Sequence, residues 1–190
     1  MLLNDTRIDF QSLKISLAGD FFTDISTLIQ YATDASAYRE LPLAVSIPKG
    51  KSDLKLLVAF AKQHKVGLIP RTAGTSLAGQ VVGNGIIVDF SKYWNKILDI
   101  NTNEHWVIVE PGVILDELNQ VLKVHELFFG PETSTGNRCM LGGMLGNNSC
   151  GSHSLVYGSS RDHTLSVKMM LDDGNEYEFG QLLKKSTTRS

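Results

Sequence analysis

Two stretches of small polar residues carry the chemistry that this sequence can support. The first is Pro70-Arg71-Thr72-Ala73-Gly74-Thr75-Ser76-Leu77-Ala78-Gly79-Gln80. Small residues in succession let backbone N–H groups turn inward and form a nest for an anion. The hydroxyls of Thr72, Thr75 and Ser76 add further donors. A diphosphate suits such a cradle, which offers neutral dipoles rather than net positive charge. Two familiar phosphate loops are absent. No G-x-x-x-x-G-K-[ST] occurs, since Gln80 and not lysine follows Gly79, and no G-x-G-x-x-G opens a helix. By composition alone, an ordinary surface turn is the competing description.

The second stretch, residues 131–158, reads PETSTGNRCMLGGMLGNNSCGSHSLVYG. Gly142-Gly143 permits close approach by a flat ring or a backbone strand, and Asn147, Asn148 and Ser149 offer uncharged hydrogen-bond donors. A redox ring needs neutral donors against its carbonyls and ring nitrogens, which tune its electronics without adding titratable groups. The competing description is a structured loop held by its own amides. His153, the only histidine in this stretch, reads as a hydrogen-bonded loop residue rather than a metal ligand or base. Arg161, Asp162 and His163 read as a solvated or capping group. No nucleophilic serine or cysteine arrangement and no HExxH is present. Cys139 and Cys150 are too few for a disulfide scaffold and are not spaced as a zinc site, so they read as small buried thiols.

The chain that must position these stretches has 190 residues, enough for one domain or two small lobes sharing a core. It is 42% hydrophobic and 20% charged with a formal net charge of −2, so nucleic acid and an anionic membrane surface are not indicated as partners. No apolar run approaches the roughly 20 residues that span a bilayer. Asp5 and Arg7 come too early for the apolar core of a signal peptide, so a cytoplasmic location is expected. Periodicity predicts helix over 8–31, with Asp24 assisting a helix start, a buried strand over 43–47, and a helix over 53–64 with Ser52 as N-cap. A strand over 66–69 ending at Pro70 completes a strand–helix–strand unit suited to a parallel crossover. The first stretch follows directly, outside the carboxyl end of a strand, where open α/β sheets bind ligands. Strands are expected over 86–90 and 106–110, a helix over 113–124, and a hairpin of 165–171 with 175–179 around Asp173-Gly174. An irregular span of thirty-odd residues, 126–161, is unusual in a compact domain unless it is functional.

Six segments occur in order with consistent spacing: YATDASAYRELPLAV, IPKGKSDLKLLVAFAKQHKVGLIPRTAGTSLAGQ, VIVEPGVILDELN, the Gly142-Gly143 loop, YGSSRDHTLSV and LDDG. On these residues, from about Tyr31 to Phe179, the chain resembles the PCMH-type FAD-binding domain of the vanillyl-alcohol oxidase and p-cresol methylhydroxylase superfamily. The likeness is greatest to the branch of D-lactate dehydrogenases, D-type glycolate oxidase subunits and D-2-hydroxyglutarate dehydrogenases.

The resemblance implies a two-lobed α+β fold with FAD between the lobes. Residues 1–40 form a helical lead-in. A first lobe of about 41–111 carries a small parallel sheet with helices, and a second of about 112–180 is mainly antiparallel and incomplete. A polar tail, 181–190, is expected to fray. Arg71, Thr72, Ala73, Gly74, Thr75 and Ser76, preceded by Pro70 and continued by Leu77, Gly79 and Gln80, match the family's pyrophosphate loop. Pro131, Glu132 and Ser134 match the segment beside the flavin. Gly142, Gly143, Gly146, Asn147, Asn148, Gly151 and Ser152 match its second flavin-contacting stretch. Thr75 stands where covalently flavinylated members have histidine, so dissociable FAD is expected. Cys139 lies out of register with the cysteine attachment of some relatives and is not assigned that role.

The string MLGGMLGNNSCGSHSLVYG looks most like long members that carry an appended iron–sulfur region. Members continue with a Gly-Ser-Glu-Gly-Thr-like segment and a separate substrate domain, so this chain is expected to be a fragment or part of a split protein, inactive alone. The implied activity is oxidation of a small 2-hydroxy acid, with hydride passing to flavin and electrons leaving to a quinone, cytochrome or iron–sulfur acceptor rather than NAD. The acid/base group is expected in the missing region, and peripheral membrane association is possible for the full-length protein. Rival readings are a nucleotide-sugar reductase of the same fold, against which YATDASAYRE and the long glycine loop argue, and a non-catalytic module that has lost flavin.

Overall fold

Strands buried on both faces read as continuous apolar runs, and two such runs lie at the centre of this molecule. In the computed structural model, which describes residues 8–180, β2 (Ala44–Ile47) and β4 (Ile86–Asp89) pair in parallel, with Ala44 opposite Ile86 and Ser46 opposite Val88. On the far side of β4 lies β3 (Leu68–Arg71), also parallel, and on the far side of β2 lies the three-residue antiparallel β1 (Asp20–Phe22), giving the order β1-β2-β4-β3. The expected parallel crossover exists: α3 (Lys51–His64) carries the chain from β2 to β3 and leaves room for β4 between them. Alternation along the strands divides the core. Ala44, Ile86 and Val88 pack with Leu57 and Phe60 of α3, Leu13 of α1 (Gln11–Ser16) and Phe21. Val45 and Ile87 face the other way, against Leu28 of α2 (Ile25–Tyr31), Phe22 and Ile69.

The segment expected as one helix over 8–31 is therefore two short helices with a strand between them. Phe21 and Phe22 fit helical spacing, but they bury on opposite faces of the sheet, which only a strand permits. Gly19 admits this path, because a Cβ there would lie 2.2 Å from the Ile47 carbonyl oxygen. Asp24 does cap α2, accepting from the Thr27 N–H at 3.0 Å. Ser52 is not the cap of α3. The helix starts earlier, with Gly50 at the cap position, and Ser52 lies within it. The buried carboxylate of Asp53 does the anchoring instead. It accepts N–H bonds from Ala18 at 2.9 Å, Gly19 at 2.9 Å and Lys49 at 2.8 Å, tying α1, β1 and the start of α3 together. β3 does not stop at Ile69. It runs through Pro70 to Arg71, because an edge strand tolerates a residue without an N–H.

Beyond the sheet, β5 (Ile97–Asn101), not anticipated, pairs antiparallel with β6 (Trp106–Val109). This pair covers α4 (Leu115–Lys123), whose Leu118 and Leu122 pack with Ile97, Ile100, Val107 and Val109, so the packing reaches across the expected lobe boundary near 111. The span 126–161 contains two short helices, α5 (Leu141–Gly146) and α6 (Ser154–Tyr157). The expected hairpin is present as β7 (Ser166–Met170) and β8 (Glu176–Gly180), with Gly174 at φ +78° in the turn. The polar tail 181–190 and residues 1–7 of the lead-in lie outside the described residues.

Replacing Asp53 with alanine leaves the partly buried N–H groups of Ala18, Gly19 and Lys49 without their acceptor, each bond contributing about 1 kcal/mol. We expect Asp53→Ala to lower unfolding free energy by about 3 kcal/mol in urea titrations followed by tryptophan fluorescence, and an unchanged midpoint would refute the anchor.

Candidate functional site

Parallel strands deliver their carboxyl ends to one edge of a sheet, and here β3 and β4 end side by side, with Arg71 opposite Asp89. The chain leaves β3 into residues 72–80, where Gly74 and Gly79 adopt φ of +66° and +71°. At these two positions a side chain would be strained, which is what glycine avoids. The turn leaves its backbone open. Among the described residues, the N–H groups of Ala73, Gly74, Thr75, Ser76 and Leu77 donate to no acceptor in the chain. Consecutive free N–H groups around a left-handed glycine are the geometry of an anion nest.

The underside of this turn is built from residues far away in sequence. The Arg71 guanidinium lies over the Tyr31 ring, 5.2 Å from its centroid, and donates to the Thr33 carbonyl at 2.8 Å. The Tyr31 hydroxyl donates to the buried Asp89 carboxylate at 2.6 Å, and Asp89 also accepts the Ser91 N–H at 2.7 Å. Burial, reinforced by that carboxylate, pushes the Tyr31 phenol well above its ordinary range. Ala35 donates its N–H to the Gly74 carbonyl at 3.1 Å, so the segment after α2 is clipped to the turn. Tyr38 covers Gly79, whose absent Cβ would sit 2.6 Å from the ring.

The second wall comes from 133–150. A Cβ on Gly142 would meet Pro111 at 2.5 Å, and one on Gly143 would meet the Thr72 hydroxyl at 2.6 Å, so these glycines let the two walls close on one another. Gln80 spans them, donating to the Asn147 side-chain carbonyl at 2.6 Å while accepting from the Ser76 hydroxyl. Asn148, at φ +46°, accepts the Arg161 N–H at 3.0 Å, and Ser160 donates its hydroxyl to the Ser149 carbonyl at 2.8 Å. Asp162 accepts from Ser159 and is held below the usual carboxylate range, first by the Ser159 N–H and then by its hydroxyl. The 161–163 triplet is thus partly a cap.

Between the walls lies a cleft of about 1470 Å³. Pro70, Arg71, Thr72, Ala73, Gly74, Thr75, Ser76, Leu77 and Gln80 line it from one side, and Ser134, Gly142, Gly143, Gly146, Asn147 and Asn148 from the other. Five of the residues expected at the site lie off its lining. Gly79 sits under Tyr38, Pro131 is buried, and Gly151, whose Cβ would come 2.3 Å from the Glu132 carbonyl oxygen, packs on Glu132. Glu132 itself accepts from Ser152 at 2.9 Å and pairs with His153 at 2.7 Å. The Ser152 hydroxyl, then His153, lowers the Glu132 pKa, and His153 is the hydrogen-bonded loop residue expected. Sequence reasoning missed Tyr31, Thr33, Asp34, Trp94, Arg138 and Lys168 as parts of the turn's support or the cleft lining. The YATDASAYRE landmark was the available signal for the first three. Among the described residues no cluster of three or more His, Cys, Asp and Glu could hold a metal, and no helix is long and apolar enough to cross a membrane.

Known proteins agree with this architecture. Residues 42–180 match the family described as FAD binding domain. D-2-hydroxyglutarate dehydrogenase of Escherichia coli is 42% identical over 180 residues, covering 90% of this chain and 18% of that protein. Glycolate oxidase subunit GlcD of the same organism is 31% identical, covering 80% of this chain and 31% of its own. The crystal structure of p-cresol methylhydroxylase with substrate bound superposes with a TM-score of 0.73 at 17% identity, covering 83% of this chain and 32% of that one, which shows a shared fold. This chain spans less than a fifth of the D-2-hydroxyglutarate dehydrogenase it matches.

The raised Tyr31 pKa fixes the sign of a pH effect. Above about pH 10 the unfolded chain's tyrosine ionises while the folded one keeps its proton, so stability held below that pH is lost as pH rises. We expect Tyr31→Phe to be less stable at pH 8 and to show a shallower stability loss between about pH 9.5 and 11, read from urea midpoints. Parallel curves for the two proteins would contradict the Tyr31–Asp89 bond.

Proposed function

This chain belongs to the FAD-binding-domain family, and on that premise we propose that it holds FAD in the cleft, as the flavin-binding part of a longer dehydrogenase acting on a small 2-hydroxy acid. The observation that carries this reading is the run of free N–H groups from Ala73 to Leu77, at the end of β3 and on the cleft wall. A diphosphate uses such donors without a lysine, because its charge is met by converging dipoles. The cleft also fits in size, exceeding the roughly 300–1,000 Å³ usual for small-molecule sites, as an extended dinucleotide requires.

The chain's own residues divide the work. The hydroxyls of Thr72 and Thr75 donate toward the diphosphate, and the Ser76 hydroxyl, turned to Gln80, orients the strut that joins the walls. The Asn147 carbonyl takes Gln80, and its amide N–H₂, which donates to no acceptor among the described residues, is a neutral donor for the flavin side. Bound there, flavin supplies the hydride-accepting chemistry. Thr75 offers no imidazole for a covalent link, which favours dissociable FAD. Substrate recognition and removal of the hydroxyl proton fall to the part of the longer protein beyond this chain, as does transfer to an acceptor other than NAD. The support for a 2-hydroxy acid is the activity for which the relatives are named, among them D-2-hydroxyglutarate dehydrogenase. Composition favours a cytoplasmic site of action.

Titrating the purified chain with FAD and with FMN, followed by flavin fluorescence, tests the reading. We expect saturable FAD binding, FMN at least tenfold weaker, and Gly74→Val at least tenfold weaker for FAD, about 1.4 kcal/mol. Equal affinity for FAD and FMN, or unchanged affinity in a Gly74→Val chain with native circular dichroism, would remove the diphosphate nest.

A further inference from the structure

One polar atom of a cleft-lining residue is unaccounted for. Asp34 lines the cleft, and its Oδ1 accepts the Ser36 N–H at 2.8 Å. Its Oδ2 is buried and has no hydrogen-bond partner among the described residues. Among the described residues no Lys, Arg or His nitrogen comes within salt-bridge distance of this carboxylate. The nearby guanidinium, that of Arg71, is turned to the carbonyls of Thr33 and Tyr31 instead. Buried acceptors in folded proteins almost always have a donor, and leaving one bare is costly. An ionised carboxylate accepts and cannot donate, so the missing partner must bring its own hydrogen.

The neighbours of Asp34 say what brings it. The Thr33 carbonyl holds Arg71, and Ala35 donates to the carbonyl of Gly74, within the nest. Asp34 is therefore fixed beside the place assigned to the diphosphate, yet its charge repels a phosphate oxygen. In a dinucleotide, the groups within a few bonds of the diphosphate that carry O–H donors are the sugar hydroxyls, on the ribose side and on the ribityl side.

We infer that Asp34 is a specificity residue of the cleft, its carboxylate accepting a hydrogen bond from a sugar hydroxyl of the bound dinucleotide. The inference rests on the FAD reading of the cleft and adds a residue that reads the sugar rather than the phosphate. It gives the site one anionic acceptor beside the neutral N–H and hydroxyl donors of the turn, and so a means of rejecting ligands that place a phosphate or an apolar group there.

The test is a cycle of two proteins and three ligands. Dissociation constants are measured by fluorescence for FAD, for an analogue without the ribose hydroxyls and for one without the ribityl hydroxyls, against the native chain and Asp34→Ala. One analogue should bind the native chain at least tenfold more weakly than FAD, and bind Asp34→Ala about as well as FAD does. The analogue that shows this pattern identifies the sugar. Asp34→Asn, which keeps an acceptor for the Ser36 N–H, should fall between the two, separating loss of the ligand bond from loss of the turn. If FAD binds the native chain but both analogues keep the same affinity ratios in native and Asp34→Ala chains, the Asp34 assignment is overturned while the FAD reading stands. If the native chain binds none of the three ligands, the FAD reading falls and this inference with it.

Discussion

At the carboxyl end of the central strand, the buried Asp89 carboxylate takes the Tyr31 hydroxyl with one oxygen and the Ser91 N–H with the other. The Tyr31 ring in turn supports the Arg71 guanidinium, and that cation gathers the carbonyl of Thr33. A single negative charge thus fixes the exits of β3, β4 and α2 relative to one another. Interior ions are tolerated only where their partners are well placed, and removing one partner strands the other. The turn at 72–80 can leave its own N–H groups unbonded because this network holds its frame from beneath.

The opposing wall follows a different logic. Its glycines are required because other parts of the protein approach them: Pro111 lies against Gly142 and Thr72 against Gly143. The two walls meet where those glycines permit it, and the Gln80–Asn147 bond spans the gap. The space left over is lined by aliphatic and aromatic side chains together with amides, hydroxyls and thioethers, with Asp34, Arg71, Arg138 and Lys168 as its charged residues. Few side-chain charges in such a space mean that a bound ring would be tuned by hydrogen bonds rather than by nearby titrations.

Much of this was legible in the residues themselves. The doubly buried strands, α3, α4 and the hairpin around Gly174 follow from apolar periodicity and turn chemistry, and the two walls follow from clustered glycines. The failures have physical causes. Phe21 and Phe22 satisfy a helical pattern, and only the pairing of β1 with β2 decides otherwise. The glycine-rich α5 runs against intrinsic propensity and is held by tertiary bonds, its Leu141 and Gly142 donating N–H to Val113 and Pro111. The Arg71–Tyr31–Asp89 network joins residues 40 and 58 positions apart, which no local window can see. Glu132 and Ser152 belong to the expected stretch, yet they bond to each other and not along the cleft.

Pro70 has a consequence that reaches beyond the single molecule. Arg71 accepts the Phe90 N–H on the β4 side, so alternation turns the Pro70 nitrogen toward the free edge of the sheet. An open edge strand is a template on which a second chain can add and grow, and a residue without a hydrogen to donate breaks that template. The opposite edge, β1, is only three residues long. The described sheet is thus blunted on both sides against edge-to-edge pairing with another copy, beside the turn whose N–H groups from Ala73 to Leu77 are unbonded.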